Sequence, residues 1–149
     1  MTINDTGSIL EDGSIHYLTE DDITQINIWL IKKDTPEEPI QVINPVGLSS
    51  SASRPSQYRN YEQTEDMFKL AAVLIESLIK NHCFANANKR TAMQAGAMFL
   101  LLNGYELIPI ESYEYAYTAE GVATGKYDTD YLERWLYYHS SDFNTLQLC

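Results

Sequence analysis

Residues 67–102, MFKLAAVLIESLIKNHCFANANKRTAMQAGAMFLLL, consist of two apolar stretches joined by a short polar turn. In the first stretch apolar residues recur at intervals of three and four, namely Met67, Leu70, Ala71, Leu74, Ile75 and Leu78. This spacing is typical of one face of an α-helix, and the further apolar residues between them predict a helix that is buried on more than one side. We expect Thr64 to cap this helix and Asn81 to end it.

The second stretch predicts another helix, from about Asn88 to the Asn103-Gly104 pair, which is a common kind of helix end. This stretch is rich in small residues, namely Ala92, Ala95, Gly96 and Ala97. Small side chains let neighbouring helices approach closely, so we expect the two helices to form the centre of a mainly α fold.

The rest of the chain gives weaker patterns. Three further helices are predicted over about 20–33, 113–123 and 129–139, with Thr19, Ser112 and Thr129 as their caps, and residues 105–110 are expected to be extended. Residues 40–62 show no clear periodicity. We expect a short strand at 40–43, a turn at Pro45 and Gly47, and a polar loop over 48–61, with a short helix there as an alternative.

Length and composition favour an ordinary globular domain. The chain has 149 residues, 44% of them hydrophobic, which suits one domain over 1–149 with residues 1–14 as a weakly ordered lead-in. The formal net charge of −11 disfavours nucleic acid as a direct partner. With two cysteines, no signal peptide and no stretch long enough to span a membrane, the sequence predicts a cytoplasmic protein.

The turn between the two strongest helices, His82-Cys83-Phe84-Ala85-Asn86-Ala87-Asn88-Lys89-Arg90, has the chemistry of an anion site. The free N–H groups at a helix start attract anions, and Asn residues tolerate the backbone angles that gather N–H groups into a concavity. Lys89 and Arg90 would lie in the first helical turn, the unfavourable end for a cation. A bound phosphate would offset this cost.

His82 stands at the other end of the turn, and a histidine there is suited to take a proton from a hydroxyl. A base that faces an anion site is what phosphoryl or nucleotidyl transfer requires. Each feature also has an ordinary explanation, since most loop histidines are structural, a Lys-Arg pair is usually solvated and Asn-x-Asn is often a plain turn. The combination at this spacing favours the functional interpretation.

The segment HCFANANKRTA, residues 82–92, resembles the motif of the Fic/Doc family in its Doc form, His-x-Phe-x-(Asp or Asn)-(Ala or Gly)-Asn-Lys-Arg. The similarity extends upstream through GLSSSASRP and downstream through AMFLLLNGYEL, and covers roughly residues 15–137. The resemblance implies a mainly α, Fic/Doc-type helical bundle with a short flap hairpin or loop.

The resemblance also implies an activity. Doc-like toxins use ATP with Mg²⁺ to transfer a phosphoryl group to a protein hydroxyl, a threonine of elongation factor Tu, which blocks translation. Asn-Lys-Arg in place of Gly-Asn-Gly-Arg favours phosphoryl transfer over the AMP transfer of Fic relatives. The alternatives are AMP transfer, or a catalytically weak protein of this fold that binds or regulates. The resemblance also implies a partner, because Doc toxins are usually paired with an antitoxin protein that has a disordered segment.

Roles carried over by motif position are as follows: His82 as catalytic base, Phe84 as loop anchor, Asn86 as Mg²⁺ ligand, Ala87 and Asn88 as the anion nest, Lys89 and Arg90 as phosphate ligands, and Gly47, Leu48, Ser49 and Arg54 in a flap that docks the target. One departure concerns the metal. Asn86 stands where the family usually has an acidic residue, and a neutral carbonyl oxygen binds Mg²⁺ more weakly than a carboxylate does.

Overall fold

The computed structural model describes residues 14–148, so the lead-in predicted at residues 1–14 lies almost wholly outside the described residues. Within this range the chain forms six α-helices: α1 Glu20–Asp34, α2 Pro45–Glu62, α3 Met67–Asn81, α4 Asn88–Leu102, α5 Ser112–Ala123 and α6 Thr129–Tyr138. Two short antiparallel strands, β1 Tyr105–Leu107 and β2 Ser140–Asp142, and a 3-10 turn at Thr145–Leu148 complete it. The prediction of a mainly α fold is confirmed.

Helix α3 is the centre of the core, as its pattern predicts. It packs against α2, α4 and α6, and Leu70, Ala71, Ala72 and Ile75 are fully buried. The predicted close approach of the next helix is also confirmed. A Cβ atom on Gly96 of α4 would lie 2.3 Å from Cδ1 of Ile75, so only glycine leaves room for that side chain.

Helix α1 begins as the sequence predicts. The Thr19 hydroxyl accepts from the backbone N–H of Asp22 at 3.0 Å, and the Asp22 carboxylate accepts from the N–H of Thr19 at 2.9 Å. This reciprocal capping box satisfies two N–H groups that the helix itself cannot pair. It fixes the start of the element that later supplies Asn27 to the turn.

Three predicted caps were wrong, each by one or two residues. Asp66, not Thr64, caps α3, because its carboxylate reaches the N–H groups of both Phe68 and Lys69. Asp128 rather than Thr129 caps α6 by accepting from the N–H of Tyr131, and Glu111 rather than Ser112 precedes α5. At α3 and α6 an Asp carboxylate makes the cap, whereas Glu111 makes no capping hydrogen bond through its side chain.

The polar loop expected over 48–61 was wrong, since these residues belong to the 18-residue helix α2. Pro45 occupies its first turn, where a missing N–H costs nothing, and Asn44 caps it. Its buried face consists of Gly47, Leu48, Ser51 and Pro55. This face has only one large aliphatic side chain, so the helix has no apolar periodicity to detect. The strand expected at 40–43 is reduced to a single bridge between Val42 and Phe84.

Residues 105–107 are extended, as expected, and pair with β2, which the sequence did not indicate. This small sheet lies beyond the end of α4, at the opposite end of that helix from the turn 82–87. Among the described helices there is none both long and apolar enough to cross a membrane.

Candidate active site

The turn between α3 and α4 begins and ends with a residue in the left-handed backbone region. His82 has φ 50° and ψ 62°, and Ala87 has φ 63° and ψ 31°. For residues other than glycine this conformation costs about 1–2 kcal/mol each. The two reversals fold residues 83–86 into a compact turn and bring His82 back towards the start of α4.

The turn is hydrogen-bonded to the extended segment 41–44. The carbonyl of Cys83 accepts from the N–H groups of Ile43 and Asn44 at 2.8 and 3.1 Å, and the N–H of Ala85 donates to the carbonyl of Gln41 at 2.9 Å. Between them, Phe84 is 2% exposed and lies in the main core. This burial supports the prediction that Phe84 anchors the turn.

The side chain of Asn88 folds back over the turn. Its Oδ1 accepts from the N–H of Phe84 at 2.9 Å, its Nδ2 donates to the carbonyl of the same residue at 2.7 Å, and Nδ2 also lies 3.4 Å from Nε2 of His82. The amide of Asn88 is therefore occupied by protein groups. Of the two parts of Asn88, its backbone N–H is the one available to an anion.

The start of α4 has no side-chain cap among the described residues. The N–H of Thr91 donates to the carbonyl of Ala87, but the first three N–H groups of the helix, those of Asn88, Lys89 and Arg90, precede any intrahelical bond. A left-handed residue followed by helical ones turns successive N–H groups towards one point, which makes a nest for an anion. The helix dipole adds to this preference for negative charge.

His82 is exposed, and within residues 14–148 the one hydrogen-bonding contact of its ring is Nδ2 of Asn88. Because that amide nitrogen can only donate, the contact is a hydrogen bond in the tautomer of His82 whose Nε2 carries no proton. An unprotonated nitrogen is the form that takes a proton. At 3.4 Å the contact is long and easily exchanged for a hydroxyl of an incoming substrate.

Both cations of the turn are paired with carboxylates, which come from different parts of the chain. Lys89 Nζ lies 3.5 Å from Glu120 of α5. Arg90 lies 3.2 Å from Glu38 and 3.9 Å from Asp34, and both of its terminal nitrogens are 3.4 Å from the hydroxyl of Thr35. Three carboxylates therefore surround the two cations, so that a phosphate arriving here must compete with them.

Asn86 is fixed from two sides. The side-chain Nδ2 of Asn86 donates to the backbone carbonyl of Pro39 at 2.9 Å. The backbone carbonyl of Asn86 accepts from Nδ2 of Asn27 at 2.9 Å. Asn27 is 1% exposed and also donates to the hydroxyl of Thr91 at 3.0 Å. Sequence reasoning missed Asn27, although a polar residue four positions after Ile23, on the apolar face of α1, was a detectable signal.

A family model described as the Fic/DOC family matches residues 17–100, which include α1 to α3, the whole turn and most of α4. The chain belongs to the Fic/Doc family. It is also 36% identical over 66 residues to the protein kinase Doc of Escherichia phage P1. That match covers 44% of this chain and 51% of the relative, so the chain spans about half the length of the curated relative it matches.

The residues of this Fic/Doc member offer little to a metal ion. Within residues 14–148 no three His, Cys, Asp or Glu side chains are grouped so that they could hold one. At the turn, Oδ1 of Asn86 is the oxygen left free by the bond from Nδ2 to Pro39. One neutral oxygen fits Mg²⁺ only where the nucleotide phosphates supply most of its ligands.

The four residues assigned to the flap lie on α2 of this Fic/Doc member, not in a loop. Gly47 and Leu48 are buried, Ser49 is exposed, and the Arg54 guanidinium lies 5.4 Å from the ring of Tyr58. Two buried residues cannot contact a target directly. The segment that adjoins the turn is 39–44, where Ile40 and Ile43 are 43% and 49% exposed.

Proposed function

We propose that this protein is a Doc-like phosphotransferase that moves a phosphoryl group from ATP to a serine or threonine hydroxyl of a protein. Elongation factor Tu is the acceptor that the family resemblance implies, and its modification would block translation. The observation that carries the proposal is the uncapped start of α4, with Ala87 in the left-handed region, and the position of His82 Nε2 3.4 Å from the side-chain amide of Asn88. A base and an anion site thus meet at one turn.

In this proposal the acceptor hydroxyl lies between Nε2 of His82 and the terminal phosphate of ATP. The hydroxyl oxygen forms a bond to phosphorus as its proton passes to His82, and the bond to ADP breaks. The N–H groups of Asn88, Lys89 and Arg90 stabilise the charge on the phosphate oxygens because they are already oriented before the reaction.

Lys89 and Arg90 serve as phosphate ligands by exchanging their present carboxylate partners for ATP. The pairs are weak enough for this, because the side chains of Lys89 and Glu120 are 49% and 61% exposed, and exposed ion pairs contribute only about 0–1 kcal/mol. Mg²⁺, held by Asn86 and the phosphates, would supply charge neutralisation. That neutralisation also offsets the repulsion from the neighbouring carboxylates.

In this proposal the target docks on the extended segment 39–44, and not on the residues of α2 that the family resemblance implies. This segment adjoins the turn through its bonds to Cys83 and Ala85, and it exposes Ile40 and Ile43 to a partner. Helix α2 follows directly after this segment and is fixed to the core through the buried residues Gly47 and Leu48.

The family resemblance further supports a separate antitoxin with a disordered segment as the inhibitor of this protein, and the cytoplasm as their common location. The given sequence contains no Ser/Thr-x-x-x-Glu-Gly/Asn motif, the pattern of a self-inhibitory helix. Expression of this protein with and without the gene that neighbours its own, where an antitoxin is expected, tests this point. A protein that is harmless and stable without its neighbour contradicts it.

The decisive experiment is intact-protein mass spectrometry of elongation factor Tu after incubation with this protein, ATP and Mg²⁺. A phosphate-sized gain that is lost in His82→Ala supports the proposal, and an AMP-sized gain replaces it with Fic-type AMP transfer. His16→Ala is the matched control, since the hydrogen bonds of His16 use only its backbone. If whole lysate shows no modified protein either, phosphotransfer is contradicted.

A second candidate, a catalytically weak protein that binds or regulates, is favoured by the poor metal site at Asn86 and by the three carboxylates around Lys89 and Arg90. Thermal unfolding with ATP and Mg²⁺ separates the two candidates. A ligand that binds only the folded state raises the melting temperature. A rise that depends on Mg²⁺ supports the enzyme, and no rise with any nucleotide supports the second candidate.

A further inference from the structure

The left-handed conformation of His82 requires support, because strained backbone persists only where the surrounding structure holds it. Contacts that hold the chain on each side of His82 can provide this support. The peptide group before His82 contains the carbonyl of Asn81, the last residue of α3, and the carbonyl of Cys83 lies one peptide group beyond the one that follows His82.

Asn44 contacts both of these carbonyls. Its Nδ2 donates to the carbonyl of Asn81 at 2.8 Å, and its backbone N–H donates to the carbonyl of Cys83 at 3.1 Å. Its Oδ1 accepts from the N–H of Gly47 at 2.9 Å and so caps α2. One residue therefore joins the start of α2 to the chain on both sides of His82.

Asn81 is itself held against α2. Its Nδ2 donates to the hydroxyl of Ser51 at 2.9 Å and lies 3.2 Å from the carbonyl of Gly47. Ser51 is fully buried and is hydrogen-bonded to Ser77 of α3 at 2.8 Å. The residue whose carbonyl accepts from Asn44 is thus itself held by hydrogen bonds of its side chain to α2.

Gly47 provides the space for the Asn44 side chain. A Cβ atom at position 47 would lie 2.2 Å from Nδ2 of Asn44, far inside a normal contact. The backbone of Gly47 is helical, so its conformation alone would accept other residues. The glycine is needed here for the room that it leaves.

We propose that Asn44 is the positioning residue of His82, and that it holds the left-handed backbone that aims the imidazole at the start of α4. Asn44 acts through the peptide groups of Asn81 and Cys83 and does not touch the reacting atoms. The part of the inference that concerns transfer rates rests on the proposed function, whereas the hold on the His82 backbone stands independently of it.

Asn44→Ser tests the inference in the full-length protein. Serine keeps the cap of α2, because its hydroxyl also accepts from helix N–H groups, but it is too short to reach the Asn81 carbonyl. We expect the ¹³Cα and ¹³Cβ NMR shifts of His82 to move away from left-handed values. The kcat for phosphoryl transfer should fall about tenfold or more, because small misplacements of a catalytic group are costly. The KM for ATP should stay within about twofold, since the start of α4 is untouched.

Asn103→Ser is the matched control. It removes two hydrogen bonds of the same kind, which the side-chain amide of Asn103 donates to the backbone carbonyls of His16 and Phe99 at the opposite end of α4. His82 shifts that are the same in Asn44→Ser as in Asn103→Ser overturn the proposal, whatever the kinetics. If Asn44→Ser does not fold, Gly47→Ala displaces the Asn44 amide instead, and unchanged His82 shifts there overturn the proposal equally.

The two levels of inference fail differently. Altered His82 shifts in Asn44→Ser, combined with full transfer activity of His82→Ala, would leave the positioning role intact and contradict His82 as the base. Unaltered shifts, combined with loss of activity in His82→Ala, would keep the base and remove Asn44 from its positioning role.

Discussion

The Nη2 atom of Arg90 lies 3.2 Å from Oε1 of Glu38, and the same carboxylate oxygen accepts from the hydroxyl of Thr35 at 2.7 Å. A residue assigned to phosphate binding is thus held at the end of α1 by a carboxylate. Since the side chains of Arg90 and Glu38 are 38% and 33% exposed, the pair is partly screened by solvent. In the proposed site, Glu38 would compete with the phosphates of ATP for Arg90.

The variant Glu38→Gln should bind ATP more tightly, because it keeps a hydrogen-bond acceptor near Arg90 but removes a negative charge beside the incoming phosphates. An exposed pair contributes at most about 1 kcal/mol, which corresponds to roughly a two- to fivefold fall in Kd. Isothermal titration calorimetry with and without Mg²⁺ measures this change. Glu65→Gln, which disrupts the distant pair with Arg59, is the control for net charge. An unchanged or raised Kd in Glu38→Gln contradicts the competition.

The variant Phe84→Ala should destabilise the whole protein, not only the turn. Phe84 is 2% exposed and belongs to the main core, and removal of a buried phenylalanine costs about 3–5 kcal/mol. Urea denaturation measures the free energy of unfolding. Tyr61→Ala, at a side chain that is 89% exposed, should change it by less than about 0.5 kcal/mol. A small loss in Phe84→Ala would show that the turn is held by its hydrogen bonds alone.

The central helices were predictable because their residues carry the helical period directly. Leu70, Leu74 and Leu78 lie on one face of α3, and each is buried. Chemistry and composition likewise marked the turn from His82 to Arg90. Both signals are local in sequence, so that one chain without its structure suffices to read them.

Helix α2 and the supports of the turn were not predictable for a physical reason. Helix α2 is buried through Gly47, Ser51 and Pro55, which form no apolar stripe. Asn44 and Asn27 act through partners 37 and 59 residues away, and no local pattern indicates which distant carbonyl an amide meets. The carboxylate partners of Lys89 and Arg90 also come from distant elements, α5 and the end of α1.

The variant Gly96→Ala should destabilise the protein by about 1–3 kcal/mol, because the added Cβ overlaps a packed side chain. The nearest atom is Cδ1 of Ile75 at 2.3 Å, with Cγ1 of the same residue at 2.6 Å. Ile75→Val removes Cδ1 and should restore part of the loss. A double-mutant cycle by urea denaturation measures the coupling between the two positions. Additive losses would contradict direct overlap and place the strain elsewhere.

The ion pair between Lys69 of α3 and Asp130 of α6 should make the stability depend on pH. The ammonium of Lys69 donates to the carboxylate of Asp130 and is paired with that of Glu133, and its hydrogen bond with Asp130 lowers the pKa of that carboxyl below its ordinary value. A lowered folded-state pKa gives stability that is present above the unfolded-state pKa and is lost as the pH falls through the folded-state pKa.

Lys69→Met keeps most of the apolar stem and removes the charge, so the pKa of Asp130 should return towards its ordinary value. The pH dependence of unfolding between about pH 2 and 4 should then become flatter than in the wild type. NMR titration of the Asp130 carboxyl and urea denaturation across this range measure the two effects. Lys80→Met, which disrupts the exposed pair with Glu76, is the matched control. An Asp130 pKa that is the same in wild type and Lys69→Met would show that the pair contributes nothing to the docking of α6 on α3.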